Sequence, residues 1–199
     1  MSNSGIEFYE QNAERFFDDT VAVDMTALYD PFLAELPPGG LILDAGCGSA
    51  RDSRAFLELG YQVHAFDASP RLAALASQHL GQSVDILRFD QVNWHARFDG
   101  IWACASLLHI PRAELPDILS RLARSLKPSG VLYASFKYGK GERWTHGRRF
   151  TDMDEPGLER LLKQTPHLAL KSCWSSSDRR LNRADERWLN TLLTRQASG

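Results

Sequence analysis

The strongest constraint on the fold is a short apolar run that leads through a glycine-containing loop into a helical pattern. Residues 41–43 are apolar, residues 44–50 read Asp-Ala-Gly-Cys-Gly-Ser-Ala, and residues 51–59 have a helical pattern that Gly60 ends. A strand that enters a helix through glycines brings backbone N–H groups close to a ligand, because glycine has no side chain to block the approach. The segment therefore predicts a binding loop at the carboxyl end of a buried strand.

The alternation of strand and helix continues through the middle of the chain. In order, the pattern predicts strand 61–66, helix 70–80, strand 84–89, strand 98–105, helix 112–126 and strand 131–136. Strands that alternate with helices predict a parallel sheet with right-handed crossovers. The expected fold class is α/β, with helices on both faces of the sheet.

Periodicity is less informative at the two ends of the chain. Residues 6–17 predict one helix, and residues 24–36 predict a second helix that Pro31 bends or divides. The basic, glycine-containing stretch 138–150 predicts a loop. Residues 186–195 suit either a helix or a strand on pattern alone.

An acidic residue after the next predicted strand restricts which class of ligand the loop can bind. A carboxylate at Asp67 is placed to accept two hydrogen bonds from ribose hydroxyls, as in nucleotide-binding α/β folds. The dinucleotide fingerprint needs glycine or alanine where this chain has Arg51, and no GxxxxGKS or GxxxxGKT phosphate loop occurs. Asp44, directly before the loop glycines, suits a cationic ligand with an amino group and no phosphate. S-adenosylmethionine (SAM) is such a ligand, with a sulfonium, an ammonium and a ribose.

Over residues 38–137 the chain resembles the class I SAM-dependent methyltransferases. The matching segments are the loop 44–50, Asp67, Phe89-Asp90, FDGIWACASLLHI (98–110) and LKPSGVLYASF (126–136). The resemblance implies a Rossmann-like sheet of seven strands, mostly parallel with the last strand antiparallel, in which residues 167–174 and 186–195 are the sixth and seventh strands. GCGSARDSRAFLELGYQVHAFD with SLLHI is similar to the branch of tellurite-resistance-type and other small-molecule methyltransferases.

The resemblance also implies a division of the chain and a cofactor site. Within one domain over residues 1–199, residues 1–36 are a helical cover, 37–137 the SAM-binding core and 138–199 a substrate-side part. The implied cofactor-binding residues are Asp44, Ala45, Gly46, Cys47, Gly48, Asp67, Ala68, Asp90, Ala105 and Ser106. Asp44 is expected to hold the ammonium, Asp67 the ribose and Asp90 the adenine amino edge. Relatives often have glycine where this chain has Ala50 and Ser129.

Methyl transfer is an in-line displacement at a sulfonium carbon, in which proximity supplies much of the acceleration and no metal or covalent residue is required. His109, just after the fourth strand, is a candidate general base, or alternatively a brace for its loop. Tyr9 is a candidate to cover the site and to place its hydroxyl near the methyl donor.

Basic residues of the last third are candidates to hold the methyl acceptor. We hypothesise a small anionic acceptor bound by Lys137, Arg148 and Arg179, because basic side chains pair with carboxylate or phosphate groups. The alternative is a solvated basic face whose members pair with acidic neighbours. Those neighbours are Asp152, Asp154, Asp178 and Asp185.

Charge is distributed unevenly and leaves further functions open. The formal net charge is −2, but residues 1–136 carry 10 basic and 17 acidic side chains, whereas residues 137–199 carry 13 and 8. The overall balance argues against a general nucleic-acid binder. A small-molecule methyltransferase is the leading hypothesis, and the basic last third keeps an RNA or protein methyltransferase as the alternative. Ala50 also leaves open a protein that binds SAM without catalysis.

The cysteines and the apolar runs bear on location. Cys47, Cys104 and Cys173 form no CxxC pair and leave one cysteine over in any disulfide scheme, which favours a reducing compartment. No apolar run approaches the roughly 18 residues of a membrane span, and the first residues do not read as a secretory signal. The expected location is the cytoplasm, with a small-molecule partner, no membrane partner and no metal.

Overall fold

The computed structural model describes residues 3–145, 147–180, 183 and 185–196. Strands β1–β5 and β8–β9 form a seven-stranded sheet, and β6 and β7 form a separate pair. The strands are β1 (Leu41–Ala45), β2 (Gln62–Asp67), β3 (Asp85–Ile86), β4 (Phe98–Ala103), β5 (Leu126–Lys137), β6 (Glu142–Thr145), β7 (Arg148–Thr151), β8 (Leu168–Ser177) and β9 (Arg187–Arg195). The α-helices are α1 (Asn3–Gln11), α2 (Ala13–Thr20), α3 (Thr26–Leu33), α4 (Arg51–Glu58), α5 (Pro70–Leu80), α6 (Leu115–Ser125) and α7 (Glu155–Leu162).

The strand order of the large sheet is β3-β2-β1-β4-β5-β9-β8. Strands β1 to β5 pair in parallel, and β9 lies antiparallel between β5 and β8. The predicted α/β class and the single antiparallel strand are confirmed, and residues 186–195 resolve to a strand. Chain order reverses between β1 and β4, which opens a crevice at the carboxyl edge of the sheet where ligands of such folds bind.

The core lies on both faces of the sheet because successive residues of a strand point to opposite sides. In β4, Ile101 packs with the cluster beneath α6 and α7, whereas its neighbour Trp102 packs with the cluster beneath α3 and α4. Trp102 stacks on Tyr133 with ring centroids 3.8 Å apart. The central strands are therefore buried on both sides and hold the carboxyl edge rigidly.

Two sequence predictions near the edges of the sheet are wrong. The single helix over residues 6–17 is instead α1 and α2, which meet at Asn12, where the backbone leaves the helical region (φ −119°, ψ 21°). The strand over 84–89 shrinks to β3, because only Asp85–Ile86 pairs with β2 before the chain turns into a 3-10 helix at Phe89–Gln91. Apolar spacing alone did not reveal either break.

The predicted loop at 138–150 is also wrong, because most of it forms the β6–β7 hairpin. Arg143 pairs in register with Phe150, and the guanidinium of Arg143 lies 4.7 Å from that ring's centroid. The Thr151 hydroxyl donates a hydrogen bond to the carbonyl of Ile110 at 2.7 Å. The hairpin is thus tied to the segment that follows β4, and this contact places it beside the carboxyl edge.

Ser129→Gly is expected to raise the free energy of unfolding by about 1 kcal/mol, because Ser129 holds a left-handed backbone (φ 62°) that costs a residue with a Cβ about that much. The side chain is exposed, so little packing is lost. Chemical denaturation is the measurement. Ser83→Gly is the control: Ser83 is also exposed but has no positive φ, so glycine there is expected to destabilise slightly. Equal changes at the two positions would contradict the strain at Ser129.

Candidate functional site

A cavity of about 850 Å³ opens at the carboxyl edge of the sheet. Its walls come from the loop after β1, the end of β2, the segment after β4, helices α1 and α2, the β6–β7 hairpin and the segment between β8 and β9. Most of the predicted site residues line it, including Asp44, Gly46, Cys47, Gly48, Asp67, Ala68, Ala105, Ser106, His109, Tyr9, Lys137, Arg148 and Arg179. The topology therefore gathers into one space residues that are far apart in the sequence.

The glycine loop after β1 is held against the end of β2 by backbone hydrogen bonds. The N–H groups of Gly46 and Cys47 both donate to the carbonyl of Phe66 at 3.0 Å. Gly46 has φ 76°, and a Cβ on it would lie 2.7 Å from the Cβ of Ser106. Glycine is required here by both the left-handed backbone and the close approach of the segment after β4.

Two acidic residues lie beneath the loop with different environments. Burial, followed by the charge of Asp52, raises the pKa of Asp44 to about 8, although the Ser53 hydroxyl donates to Asp44 at 2.6 Å. Burial acts to raise the pKa of Asp52 too, but Arg51 outweighs it and the pKa stays below its ordinary value. An approaching cation therefore lowers the pKa of Asp44 and favours its ionised form. Asp52 is already ionised, and the positive charge of Arg51 balances it.

Asp67, at the end of β2, is oriented by backbone donors on both of its oxygens. Gly48 N–H donates to Oδ2 at 3.0 Å, and Ser69 N–H donates to Oδ1 at 2.9 Å. Burial raises the pKa of this carboxyl, and the backbone hydrogen bonds lower it only in part. Each oxygen retains acceptor capacity toward the cavity, which suits a pair of hydroxyl groups.

The segment after β4 closes the cavity on the other side of the loop. Ala105 has a left-handed backbone (φ 52°), and its N–H donates to the Ser135 hydroxyl at 2.8 Å. The Ser106 hydroxyl donates to the carbonyl of Ala45 at 2.7 Å. Ala45 itself is fully buried and holds the loop from below, outside the residues that line the cavity.

Asp90 lies apart from the other predicted cofactor residues. It is in the 3-10 turn after β3, exposed, and paired with Arg88 at 2.8 Å. It is not among the residues that line the cavity. The arginine lowers the pKa of Asp90 through its hydrogen bonds. The role of Asp90 at an adenine edge stays a prediction.

Tyr9 and His109 meet at the mouth of the cavity, although they lie on α1 and in the segment after β4. Tyr9 Oη and His109 Nε2 are 2.7 Å apart, and His109 Nδ1 is 2.8 Å from the carbonyl oxygen of Arg149. Burial lowers the pKa of His109 to about 4 and raises that of Tyr9 above its ordinary value. Both side chains are therefore neutral near pH 7.

The three predicted anion-binding residues differ in whether a carboxylate already pairs with them. Lys137 donates to Asp178 at 2.9 Å and also bonds Glu186, so its charge is already neutralised. Within the described residues, Arg148 and Arg179 have no carboxylate at ion-pair distance, and both line the cavity. Arg148 is stacked 4.2 Å from the ring centroid of Phe8, whereas Arg179 is exposed.

Acidic partners neutralise much of the basic excess in the last third. The pairs include Lys137 and Arg180 with Asp178, Arg143 with Asp152, Arg149 with Glu142 and Arg183 with Glu186. The solvated, self-paired face that we set out as an alternative therefore describes several of these residues. Arg148 is the partly buried exception.

Asp52 and Asp178 organise the walls of the cavity; sequence reasoning did not single out Asp52, and it named Asp178 only as an acidic neighbour of the basic residues. Asp52 accepts hydrogen bonds from Tyr29, Trp102 and Arg51. Asp178 accepts from Lys137, Arg180 and Trp188. For Asp52 the sequence signals are its place in the first turn of the helix after the glycine loop and the adjacent Arg51, whereas Tyr29 and Trp102 are distant along the chain.

Two further properties of the described residues limit the chemistry of the site. Among residues 3–145, 147–180, 183 and 185–196, no three histidine, cysteine or acidic side chains are grouped as a metal site. Burial raises the pKa of the Cys47 thiol well above its ordinary value, so this cysteine is not an activated nucleophile.

In the same part of the chain, no helix has the length and apolar character needed to cross a membrane.

Sequence comparison finds similarity to methyltransferases in the middle of the chain. Residues 42–130 match a family model described as a methyltransferase domain. A ubiquinone biosynthesis O-methyltransferase of Xanthomonas campestris pv. campestris is 34% identical over 108 residues, which are 49% of this chain and 43% of that protein. A putative methyltransferase of Bacillus subtilis, YqeM, is 30% identical over 115 residues, 52% of this chain and 47% of that protein. The chain thus spans somewhat less than half the length of these curated relatives.

Structure comparison extends the likeness to the whole fold. The 1,6-didemethyltoxoflavin-N1-methyltransferase of Burkholderia thailandensis, solved with 1,6-didemethyltoxoflavin and S-adenosylhomocysteine, has a TM-score of 0.79 at 23% identity, over 98% of this chain and 88% of that chain. The [4+2]-cyclase SpnF has a TM-score of 0.72 at 16% identity, over 96% of this chain and 95% of that chain. One fold thus serves different reactions, and at these identities the likeness concerns the fold alone.

The family match and the fold agree on where the shared features lie. The matched residues 42–130 contain the glycine loop, Asp67 and the segment after β4, which all contribute to the lining of the cavity. Residues 42–130 of this chain therefore resemble a methyltransferase domain in sequence, and the sheet that contains them has the class I methyltransferase fold.

Proposed function

We propose that the chain is a SAM-dependent methyltransferase that transfers a methyl group to a small molecule. One observation carries the proposal: a single cavity is lined both by the glycine loop and Asp67 and by Tyr9, His109 and Arg148. A volume of about 850 Å³ suits a cofactor together with a small acceptor. SAM supplies an electrophilic methyl group on a sulfonium, and the chain supplies the orientation.

The residues at the loop end fit this cofactor. Glycine at Gly46 and Gly48 lets Ser106 and Phe16, which both line the cavity, pack closely on the loop: at Gly48 a Cβ would lie 3.0 Å from the ring of Phe16. We assign the ribose hydroxyls to Asp67, whose two oxygens are oriented by backbone donors, and the ammonium to Asp44. The cofactor's positive charge favours the ionised form of Asp44 over the protonated form that burial favours.

The division of the chain is part of the proposal. We assign residues 1–36 as a cover, residues 37–137 as the cofactor-binding core and residues 138–199 as the substrate side. The position of α1 and α2 over the loop supports the first assignment, since the Thr20 hydroxyl donates to the Ser49 hydroxyl at 3.0 Å. The loop sequence GCGSARDSR, with SLLHI, supports placing the chain near the tellurite-resistance-type branch of small-molecule methyltransferases.

The alternative of an RNA or protein methyltransferase has less support. Its main argument was the basic last third, and many of those residues are paired with acidic neighbours. A polymer also needs an open groove lined with unpaired basic side chains. In the described part of the chain, α1, α2 and the β6–β7 hairpin instead cover the cavity.

Two measurements test the function. A thermal-shift screen of metabolites, run with saturating S-adenosylhomocysteine, is expected to find an acceptor that raises the melting temperature further. Transfer of labelled methyl from SAM to that acceptor then tests catalysis. A protein that binds SAM and transfers no methyl to any acceptor would be a non-catalytic binder, contrary to the proposal.

Asp67→Ala is expected to weaken SAM binding at least tenfold, about 1.4 kcal/mol, because the hydroxyl groups assigned to it lose a charged acceptor. Isothermal titration calorimetry is the measurement. Asp85→Ala is the matched control, since Asp85 is an exposed carboxylate on the neighbouring strand β3 that pairs with His64 outside the cavity. Unchanged affinity in Asp67→Ala would remove Asp67 from the cofactor site.

A further inference from the structure

The hydrogen bonds of His109 determine which of its nitrogens carries the proton. Nδ1 lies 2.8 Å from the carbonyl oxygen of Arg149, which can only accept, so Nδ1 is the protonated nitrogen. In a neutral ring, Nε2 is then an acceptor. Its partner at 2.7 Å is Tyr9 Oη, so the tyrosine hydroxyl donates its proton to His109.

With its proton directed at His109, Tyr9 offers only lone pairs to the cavity. Tyr9 lines the cavity, and Nη1 of Arg148 donates to its oxygen at 3.5 Å. Its ring is fixed by edge-to-face contacts with Phe16 at 5.1 Å and His109 at 5.4 Å between centroids. In this resting state a ligand group that meets Tyr9 Oη donates a hydrogen bond to it; once the Tyr9 proton has moved to His109, Tyr9 donates the proton that it has received back toward the ligand anion.

Arg148 brings a positive charge to the same point. Its guanidinium lies over the rings of Phe8 and Phe150, at 4.2 and 5.2 Å from their centroids. Its Nε is buried without a hydrogen-bond partner, and no carboxylate of the described residues pairs with it. A partly buried guanidinium whose Nε is buried without a partner favours a ligand group that carries or develops negative charge.

We propose that Tyr9, His109 and Arg148 form the acceptor site for an acidic O–H or ring N–H group, such as a phenol, enol or imide-like nitrogen, which is deprotonated through Tyr9 to His109 as it is methylated. This proposal rests on the proposed function and specifies its substrate class. Tyr9 contacts the acceptor directly, whereas His109 acts through Tyr9. Arg148 stabilises the negative charge that the acceptor oxygen or nitrogen acquires.

The proton and electron balance of the step is complete without another reactant. The acceptor O–H or N–H proton moves to Tyr9 Oη while the proton of Tyr9 moves to Nε2 of His109. The acceptor atom's electron pair forms the bond to the methyl carbon, and the carbon–sulfur bond breaks with its electrons on sulfur. The proton on His109 is then released to solvent as the ring returns to its neutral form.

The groups that surround Tyr9 and His109 keep both side chains neutral before the acceptor binds. From β7, the charge of Arg148 lowers the pKa values of both Tyr9 and His109, and the Arg149 carbonyl raises that of His109. Asp67 raises and Arg180 lowers the pKa of Tyr9, and both residues line the cavity. Burial is the largest influence on both groups. It lowers the pKa of His109 to about 4, so Nε2 carries no proton near pH 7, and the acceptor's proton moves to this weak base only as methyl transfer consumes the acceptor anion.

A chromogenic phenol tests the acceptor site without turnover. 4-Nitrophenol is titrated against the full chain saturated with S-adenosylhomocysteine, and its phenolate absorbance is followed across pH. The site is expected to bind the phenolate at least tenfold more tightly than the phenol, which lowers the apparent pKa of the bound probe by at least one unit. 4-Nitroanisole, which has no acidic proton, is expected to bind at least tenfold more weakly than 4-nitrophenol at pH 7.

Two variants separate the charge of Arg148 from charge in general. Arg148→Gln is expected to abolish the pKa shift of the bound probe. Arg143→Gln, on the same hairpin, removes an equal charge that Asp152 already neutralises. This variant is expected to keep the pKa shift of the bound probe and to change the affinity for the phenolate by less than twofold. Equal effects of the two variants, or no binding of 4-nitrophenol to the loaded protein at millimolar concentration, would overturn the proposal.

Nitrogen NMR tests the relay itself. With ¹⁵N-labelled histidine and saturating S-adenosylhomocysteine, His109 is expected to be neutral with its proton on Nδ1 at pH 7. Saturating 4-nitrophenol is expected to shift the Nε2 resonance, and Tyr9→Phe to abolish that shift while S-adenosylhomocysteine still binds. A proton on Nε2, or an Nε2 resonance insensitive to the probe, would overturn the relay. Failure of S-adenosylhomocysteine to bind would instead count against the proposed function.

Discussion

Asp52→Ala is expected to lower the free energy of unfolding by about 3–5 kcal/mol, the range measured when one partner of a buried ion pair is removed. The carboxylate accepts from Tyr29 Oη at 2.7 Å, Trp102 Nε1 at 2.8 Å, and Arg51 at 2.7 and 2.9 Å. Alanine leaves these buried donors and the Arg51 charge without a partner. Denaturant unfolding monitored by tryptophan fluorescence is the measurement.

Asp90→Ala is the control for that change. Asp90 also pairs with an arginine, Arg88, at 2.8 Å, but its side chain is 47% exposed, so alanine is expected to change the free energy of unfolding by no more than about 0.5 kcal/mol. Both variants lose an ion pair with an arginine, so the difference between their free energies of unfolding measures the effect of burial. A loss below about 1 kcal/mol in Asp52→Ala would mean that the surrounding donors find other partners, and the Asp52 network would not hold the wall of the cavity.

Gly46→Ala is expected to lower the free energy of unfolding by about 3 kcal/mol, at the upper end of overpacking effects, and to weaken S-adenosylhomocysteine binding at least tenfold. The new Cβ would lie 2.7 Å from the Cβ of Ser106, and the backbone at this position has φ 76°. To relieve the clash, the loop and the segment after β4 must separate, which disturbs the cradle at the cofactor end of the cavity. Denaturation and calorimetry on the same preparation give both quantities.

Gly81→Ala separates the clash from the backbone strain in this experiment. Gly81 has a similar φ of 70°, but a Cβ there would have nothing within 4 Å. Its substitution is expected to cost about 1 kcal/mol from the left-handed backbone alone and to leave ligand affinity unchanged. Equal losses at Gly46 and Gly81 would show that the contact with Ser106 gives way without cost.

Residues close together in the chain account for most of what the sequence predicted correctly. The strand, glycine loop and helix at 41–59 form as expected because local geometry requires glycine at Gly46, where a left-handed backbone meets a close neighbour. The alternation of strands and helices predicted the parallel sheet, because each period reports which faces are buried. Ala50 and Ser129, noted as departures from a glycine pattern, both have positive φ.

The wrong predictions share a different physical cause. The hairpin β6–β7 is basic and glycine-containing, and its strands are stabilised by pairing with each other and by the contact of Thr151 with Ile110. The break between α1 and α2 lies between Tyr9 and Phe16, which both line the cavity and whose rings meet edge to face at 5.1 Å between centroids. Propensity and periodicity do not report such contacts.

The sequence by itself determined the α/β class, the binding loop after the first strand and the acidic residue after the second, because these depend on backbone geometry and on patterns within about twenty residues. Only the tertiary structure determined which charged side chains are paired with an opposite charge. It pairs Lys137 with Asp178, turns Asp90 toward Arg88 outside the cavity, and joins Tyr9 to His109 across most of the fold. A side chain's charge state and hydrogen-bond direction depend on neighbours in space, and those neighbours are set by how the strands are ordered in the sheet.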